Sequence, residues 1–204
     1  MSSTRYKLSF TTGGLFIQES TNLVELFLAY KDWLCVEEEV KSKNLLQVKT
    51  ASASKRVAYE IISRLKCLSL DELALFVDCS FKDKAYLLWS ASTRRYEFIK
   101  DFAVEVLRDH YVTLKYQVRY EDFDVFYNNK AVWHEELDQI TESTRLKLRN
   151  NIFRMMKEAQ LITADNFIQH AVLTPSLISN FAEQDSALLL VFTISDADIS
   201  KFLK

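Results

Sequence analysis

The residues of this chain whose types suit catalysis or metal binding are three histidines, three cysteines and one group of carboxylates. His110, His134 and His170 form no HExxH, and none stands near a cysteine at a ligand-like spacing. His134 and Asp138 are four apart, so one helix face can present both, but a single pair makes no metal site. Glu121, Asp122 and Asp124 suit two-metal chemistry by type. They also fall at an expected helix start, where carboxylates complement the helix dipole, and that structural role is the one expected. Asp109 and His110 supply an acid and a base with no nucleophile motif beside them. No catalytic residue, metal or cofactor is therefore expected, and the chain reads as non-enzymatic. Cys35, Cys67 and Cys79 are odd in number and contain no CxxC, which fits reduced thiols and a cytoplasmic protein. All three stand beside apolar residues and are expected to be buried.

The basic residues are distributed unevenly. The net charge is −2, yet residues 41–66 carry +6 and residues 143–157 carry +5, which leaves −13 on the remainder. Two basic segments in an acidic chain point to an anionic polymer as partner. The competing reading is that the basic residues pair with neighbouring acids such as Glu37, Glu38 and Glu39. In the second segment Lys147, Asn150, Asn151, Arg154 and Lys157 share a helix face opposite the apolar stripe Leu148, Ile152, Met155, Met156 and Ala159. Lysine and arginine grip phosphates, and asparagine reads an adenine edge. The candidate nucleic-acid contacts are Lys49, Lys55, Arg56, Arg145, Lys147, Asn150, Arg154 and Lys157. Tyr59 lies on the basic face of its helix and is a further candidate, although a packed tyrosine is commoner.

The elements that hold these residues are helices. The chain has 204 residues, of which two are glycine (Gly13, Gly14) and one is proline (Pro175). Average usage would give roughly 14 and 10. Glycine supplies the positive φ of tight turns, so hairpin-rich sandwiches and barrels are unfavoured. Phosphate loops and dinucleotide fingerprints need spaced glycines and are excluded. Periodicity gives helices from about 15 to 30, 32 to 43, 52 or 54 to 68, 69 to 79, 82 to 94 and 96 to 114. Ser52 or Ser54 is the expected cap of the third, and Ser69 to Glu72 has the form of a capping box. Helices follow at about 120–129, 132–139 and 144–160, then a short hairpin around Leu161 to Val172. Thr174 and Pro175 fit the start of another helix, and Ser195 can start a last one. Ala187 to Phe192 suits a buried strand or helix equally. We expect a mainly α fold: a helical bundle over residues 1–116, then a winged-helix-like module with a short β-hairpin over 117–204. Its third helix, the basic one, would be the recognition helix. The longest wholly apolar run is six residues, against roughly 20 for a membrane span, so no membrane association is expected.

Several stretches carry a family resemblance. They are Thr12-Gly13-Gly14 with Glu19-Ser20 and Glu25; Asp32-Trp33; Asn44 to Gln47; Ser52 to Leu65, with Ser54, Arg56, Arg64 and Leu65; and Ser143 to Leu148 with Phe153-Arg154-Met155. Together, over nearly the full length, they resemble the BrxA family of bacteriophage exclusion (BREX) systems; the match is weakest beyond about Ala182. The resemblance implies a component of a phage-resistance complex that binds double-stranded DNA alongside other BREX components. It also implies a NusB-like helical bundle, and with it RNA binding as an alternative. A protein–protein adaptor is the other alternative. The oligomeric state is open.

Overall fold

The computed structural model describes residues 5–43, 45–46 and 50–202. After an irregular strap (residues 5–16) come α1 (Ile17–Tyr30), α2 (Trp33–Lys43), α3 (Ala51–Leu65), α4 (Leu70–Asp78) and α5 (Phe81–Arg95). A long helical rod follows, made of α6 (Glu97–Phe102), a π-helical turn (Ala103–Arg108) and α7 (Asp109–Val112). Then come α8 (Tyr120–Ala131), α9 (Glu135–Asp138), α10 (Glu142–Glu158), α11 (Pro175–Asp185), a 3-10 turn (Ser186–Val191) and α12 (Asp196–Phe202). The fold is mainly helical, as the scarcity of glycine and proline required.

Local sequence explains most boundaries. Asp32 accepts the Leu34 amide at the start of α2 (2.8 Å). Ser69 and Glu72 satisfy each other's amides in a complete capping box (2.7 and 3.1 Å). Ser80 caps α5, and Thr141 caps α10. The cap of α3 is Thr50, whose hydroxyl accepts the Ala53 amide at 3.2 Å. Ser52 and Ser54, the caps expected, lie inside the helix. Gly13 has φ +69°, and that turn aims the strap into α1.

α5 is the centre of the molecule. Its residues from Ala85 to Thr93 are buried on every side, and it touches α1, α3, α4, α6 and α10. A helix apolar or small on all faces has to be central. The Trp89 indole donates to the Val191 carbonyl at 2.9 Å, so the 3-10 turn is pinned to it. That turn resolves the ambiguous run Ala187 to Phe192. A single hydrophobic cluster runs from Tyr6 to Ile194. Phe98, Phe102, Phe123, Phe126 and Tyr127 meet edge to face or tilted within it.

The expected hairpin is reduced to two isolated antiparallel bridges among the described residues, Ile162 with Ile168 and Gln117 with Phe167. Segment 166–169 thus lies between 161–163 and 116–118, with amide bonds to both sides (Gln169 to Leu161, 2.9 Å; Ile168 to Tyr116, 2.8 Å). The ladder ends there because the chain turns to other partners. The Ala171 amide donates to Thr193, and the Thr193 hydroxyl to Gln169. The strand-like segment Tyr6 to Phe10 pairs with no strand among the described residues.

The thiols depart from expectation. Cys35 is exposed, and Cys67 and Cys79 are half-buried. α2 buries only Val36 and Val40, which leaves Cys35 on its solvent side. No described helix is long and apolar enough to cross a membrane.

Candidate nucleic-acid interface

α10 buries Leu148, Ile152, Phe153, Met155 and Met156. The opposite side exposes Ser143, Lys147, Asn150 and Arg154 in one stripe of successive turns. Lys147 and Asn150 have no ion pair or hydrogen-bond partner among the described residues. Arg154 is exposed, but its Nε donates to Glu158 at 2.7 Å. Lys157 is half-buried at the end of the stripe. Asn151 is not free: its side-chain amide donates to the Phe10 carbonyl at 2.9 Å.

Arg145, one of the candidate contacts, is half-buried against α8. It pairs with Asp124 at 2.9 Å, and Arg149 pairs with the other oxygen of the same carboxylate at 3.1 Å. Arg145 lies over the Tyr127 ring and Arg149 over the Tyr120 ring, 4.4 and 4.7 Å from the centroids. These cation–π contacts clamp α8 to α10. Asp124, from the acidic group, is therefore an ion-pair hub. Asp122 accepts the Arg119 amide at the start of α8.

The first basic segment divides in the same way. Lys55 and Arg56 are exposed on α3 without ion pairs among the described residues, and Tyr59 and Lys66 continue that face. Tyr59 is not packed; it is 62% exposed. Lys43 pairs with Glu39, and Lys66 lies 3.6 Å from Glu37, so local acids answer part of the charge. Arg64 is buried. It pairs with Glu60 (Nη2, 2.6 Å; Nε, 2.7 Å) and donates to the Gly14 carbonyl at 2.7 Å. The Tyr96 hydroxyl donates to the same Glu60 carboxylate. Burial and that carboxylate push the Tyr96 phenol up to about 12, so it stays a donor at neutral pH. Lys49 lies outside the described residues.

The histidines hold no ligand-like arrangement. His134 stacks on Tyr6 with ring centroids 3.9 Å apart, and its Nδ1 is 3.2 Å from Glu136 rather than near Asp138. His110 is buried with Nε2 3.9 Å from Asp122, and burial lowers its pKa. His170 meets the Tyr111 hydroxyl. Among the described residues no group of three His, Cys, Asp or Glu is placed to hold a metal ion.

The strap reaches several of these elements. The Tyr6 amide donates to Glu136 of α9 (2.5 Å), and the Leu15 amide donates to Glu158 of α10 (2.5 Å). Gly14 lies between Arg64 and Glu158, and a β-carbon there would collide with the Glu158 carboxylate. Sequence reasoning missed Arg95, which lines a cleft beside Tyr59, Ser63 and Lys66. The one signal for it was the Arg94-Arg95 pair at the end of a helix.

The comparisons fit this architecture. In fold, the chain is similar to the crystal structure of an uncharacterized protein from Magnetospirillum magneticum (TM-score 0.80, 17% identity, covering 93% of this chain and 98% of that one). In sequence, it is 28% identical over 147 residues to the BREX protein BrxA of Escherichia coli O9:H4 (strain HS), covering 72% of this chain and 69% of that protein. It is 29% identical over 148 residues to the BREX protein BrxA of Bacillus cereus (strain H3081.97), covering 71% and 72%. Residues 4–185 match the BrxA family model, and the chain belongs to the BrxA family.

Proposed function

We propose that this chain is a non-enzymatic, cytoplasmic component of a BREX phage-defence system that binds double-stranded DNA through the exposed faces of α10 and α3. The observation that carries this is the α10 stripe of Ser143, Lys147, Asn150 and Arg154. It is basic, facing solvent, and followed directly by the 161–169 turn. α8, α9 and α10, flanked by segments 116–118 and 161–169, have the order of a winged helix-turn-helix, with α10 as recognition helix. Lys147, Lys157, Lys55 and Arg56 would hold phosphates, and Asn150 would read a base edge. Arg154 contributes in part, since Glu158 shares its charge.

Duplex titrations at two salt concentrations test this. Each phosphate contact contributes a slope of about −0.9 in log affinity against log salt. Lys147→Glu with Lys157→Glu, and separately Lys55→Glu with Arg56→Glu, should each weaken binding at least tenfold and flatten the slope by about 2. Absence of binding at low salt, or affinity unchanged in both variants, overturns the reading. Competition with structured RNA of equal length separates DNA from RNA recognition, because A-form grooves present different surfaces.

One observation favours protein docking as a second reading. The corner formed by residues 112–116 and 167–172 exposes Val112, Leu114, Tyr116, Phe167 and Val172, and apolar patches mark interaction sites. Co-purification with another BREX component after nuclease treatment, lost in Leu114→Ser with Tyr116→Ser, would support it.

A further inference from the structure

The C-terminal ends of α3 and α5 enclose a cleft of about 290 Å³. Tyr59, Ser63, Lys66 and Cys67 line it from the α3 side, Arg95 from α5, and Glu37 stands at its edge. The duplex-binding reading leaves this cleft unused.

Two adjacent arginines at the end of α5 have opposite fates. Arg94 is saturated: it makes two bonds of 2.6 Å to Glu72 and a third to the Cys67 carbonyl. Arg95 has no carboxylate partner among the described residues. Its Nε is buried without a hydrogen bond, and its guanidinium lies 5.8 Å from the centre of the Tyr96 ring. A guanidinium held over a ring at a cleft wall, with no carboxylate of its own among the described residues, offers its remaining N–H groups to an oxyanion. Lys66 adds a second cation, whose ion pair among the described residues is with Glu37 at 3.6 Å, both side chains about half exposed. Burial holds the Cys67 thiol neutral, so it adds no negative charge.

Tyr59 decides the kind of anion. Its ring is 62% exposed and follows Lys55 and Arg56 on the helix face that leads to Ser63 and Lys66. Ser63 donates its proton to the Glu60 carbonyl at 2.9 Å, which leaves its oxygen as an acceptor at the cleft wall. An aromatic face beside paired cations is the arrangement that holds unpaired bases. A duplex stacks its bases on one another and offers only phosphates here. At about 290 Å³ the cleft lies just below the usual range of ligand sites, about 300–1,000 Å³, which limits the occupant to a single small group such as one nucleotide.

We propose that this cleft is a subsite for one unpaired nucleotide of a nucleic-acid strand, with Tyr59 stacking on the base and Lys66 and Arg95 holding its phosphate. The subsite continues the Lys55 and Arg56 face of α3 and stands apart from α10.

The test uses the full chain at low ionic strength in anisotropy titrations with a fluorescein-labelled dT 12-mer and a duplex of equal length. Unlabelled dTMP and inorganic phosphate serve as competitors. Tyr59→Ala and Arg95→Gln should each weaken 12-mer binding at least tenfold. Tyr59→Phe should retain it. Tyr59 is exposed, so its variants keep the proposal testable if Arg95→Gln disturbs the fold. Failure to bind the 12-mer, or an unchanged 12-mer affinity in Tyr59→Ala, overturns the proposal. Competition by dTMP or phosphate at the affinity of the strand also overturns it, by making the ligand a free anion. Loss of duplex binding in the wild type, with Tyr59-dependent 12-mer binding intact, would sink the duplex reading alone.

Discussion

Arg64 is a cation that no external partner can reach. Sequence counts it toward the +6 of residues 41–66, yet it lies in the core with Glu60, Tyr96 and the Gly14 carbonyl around it. Local charge density does not distinguish a solvated lysine from an arginine neutralised one turn away. Only the apolar positions on either side, Ile61 and Leu65, hinted at burial. Arg145 is also tied to a carboxylate, Asp124, which lies 21 positions away in sequence. Replacing Arg64 by methionine leaves the Glu60 carboxylate buried without its cation. A loss of about 3–5 kcal/mol is expected, measured by urea denaturation, with the Glu60→Gln, Arg64→Met double variant losing less. A loss under 1 kcal/mol would show that water reaches the pair.

Among the helices, α10 was the most legible. Its apolar stripe, its basic stripe and its extent follow from a 3.6-residue period, because a long amphipathic pattern averages out single exceptions. The start of α3 was misjudged by two to four residues because Thr50, Ser52 and Ser54 are all competent caps, and the choice depends on where the preceding turn ends. The hairpin was overestimated because its pairing stops at Gln169, beyond which the Ala171 amide donates to the Thr193 carbonyl rather than across the hairpin. Sequence also gave no sign that Glu158, at the end of α10, caps the strap. Gly14→Ala tests that role. The new methyl group displaces a carboxylate held by both Leu15 and Arg154, and about 1–2 kcal/mol should be lost, close to the value of that charged hydrogen bond. An unchanged urea midpoint would mean that Glu158 has an equally good alternative position.

For the molecule as a whole, the expected division near residue 116 meets a core that runs from Tyr6 to Ile194. Sequence patterns report which face of a helix is apolar and not which helix covers it, so contacts such as Trp89 to Val191 were invisible. Cooperative unfolding is the expected consequence. Urea transitions followed by far-UV circular dichroism and by tryptophan fluorescence should coincide, and two separated midpoints would show that the halves unfold independently. The strap adds a consequence in time. Leu15 bonds to a carboxylate 143 residues further along the chain. At synthesis rates of about 5–20 residues per second, the ribosome needs on the order of ten seconds to add the partner that fixes it. During that interval the Phe10 carbonyl and the Leu15 amide lack their α10 partners, Asn151 and Glu158. The strap is therefore not fastened to α10 until late in synthesis, and this is the stage at which a chaperone has most to hold.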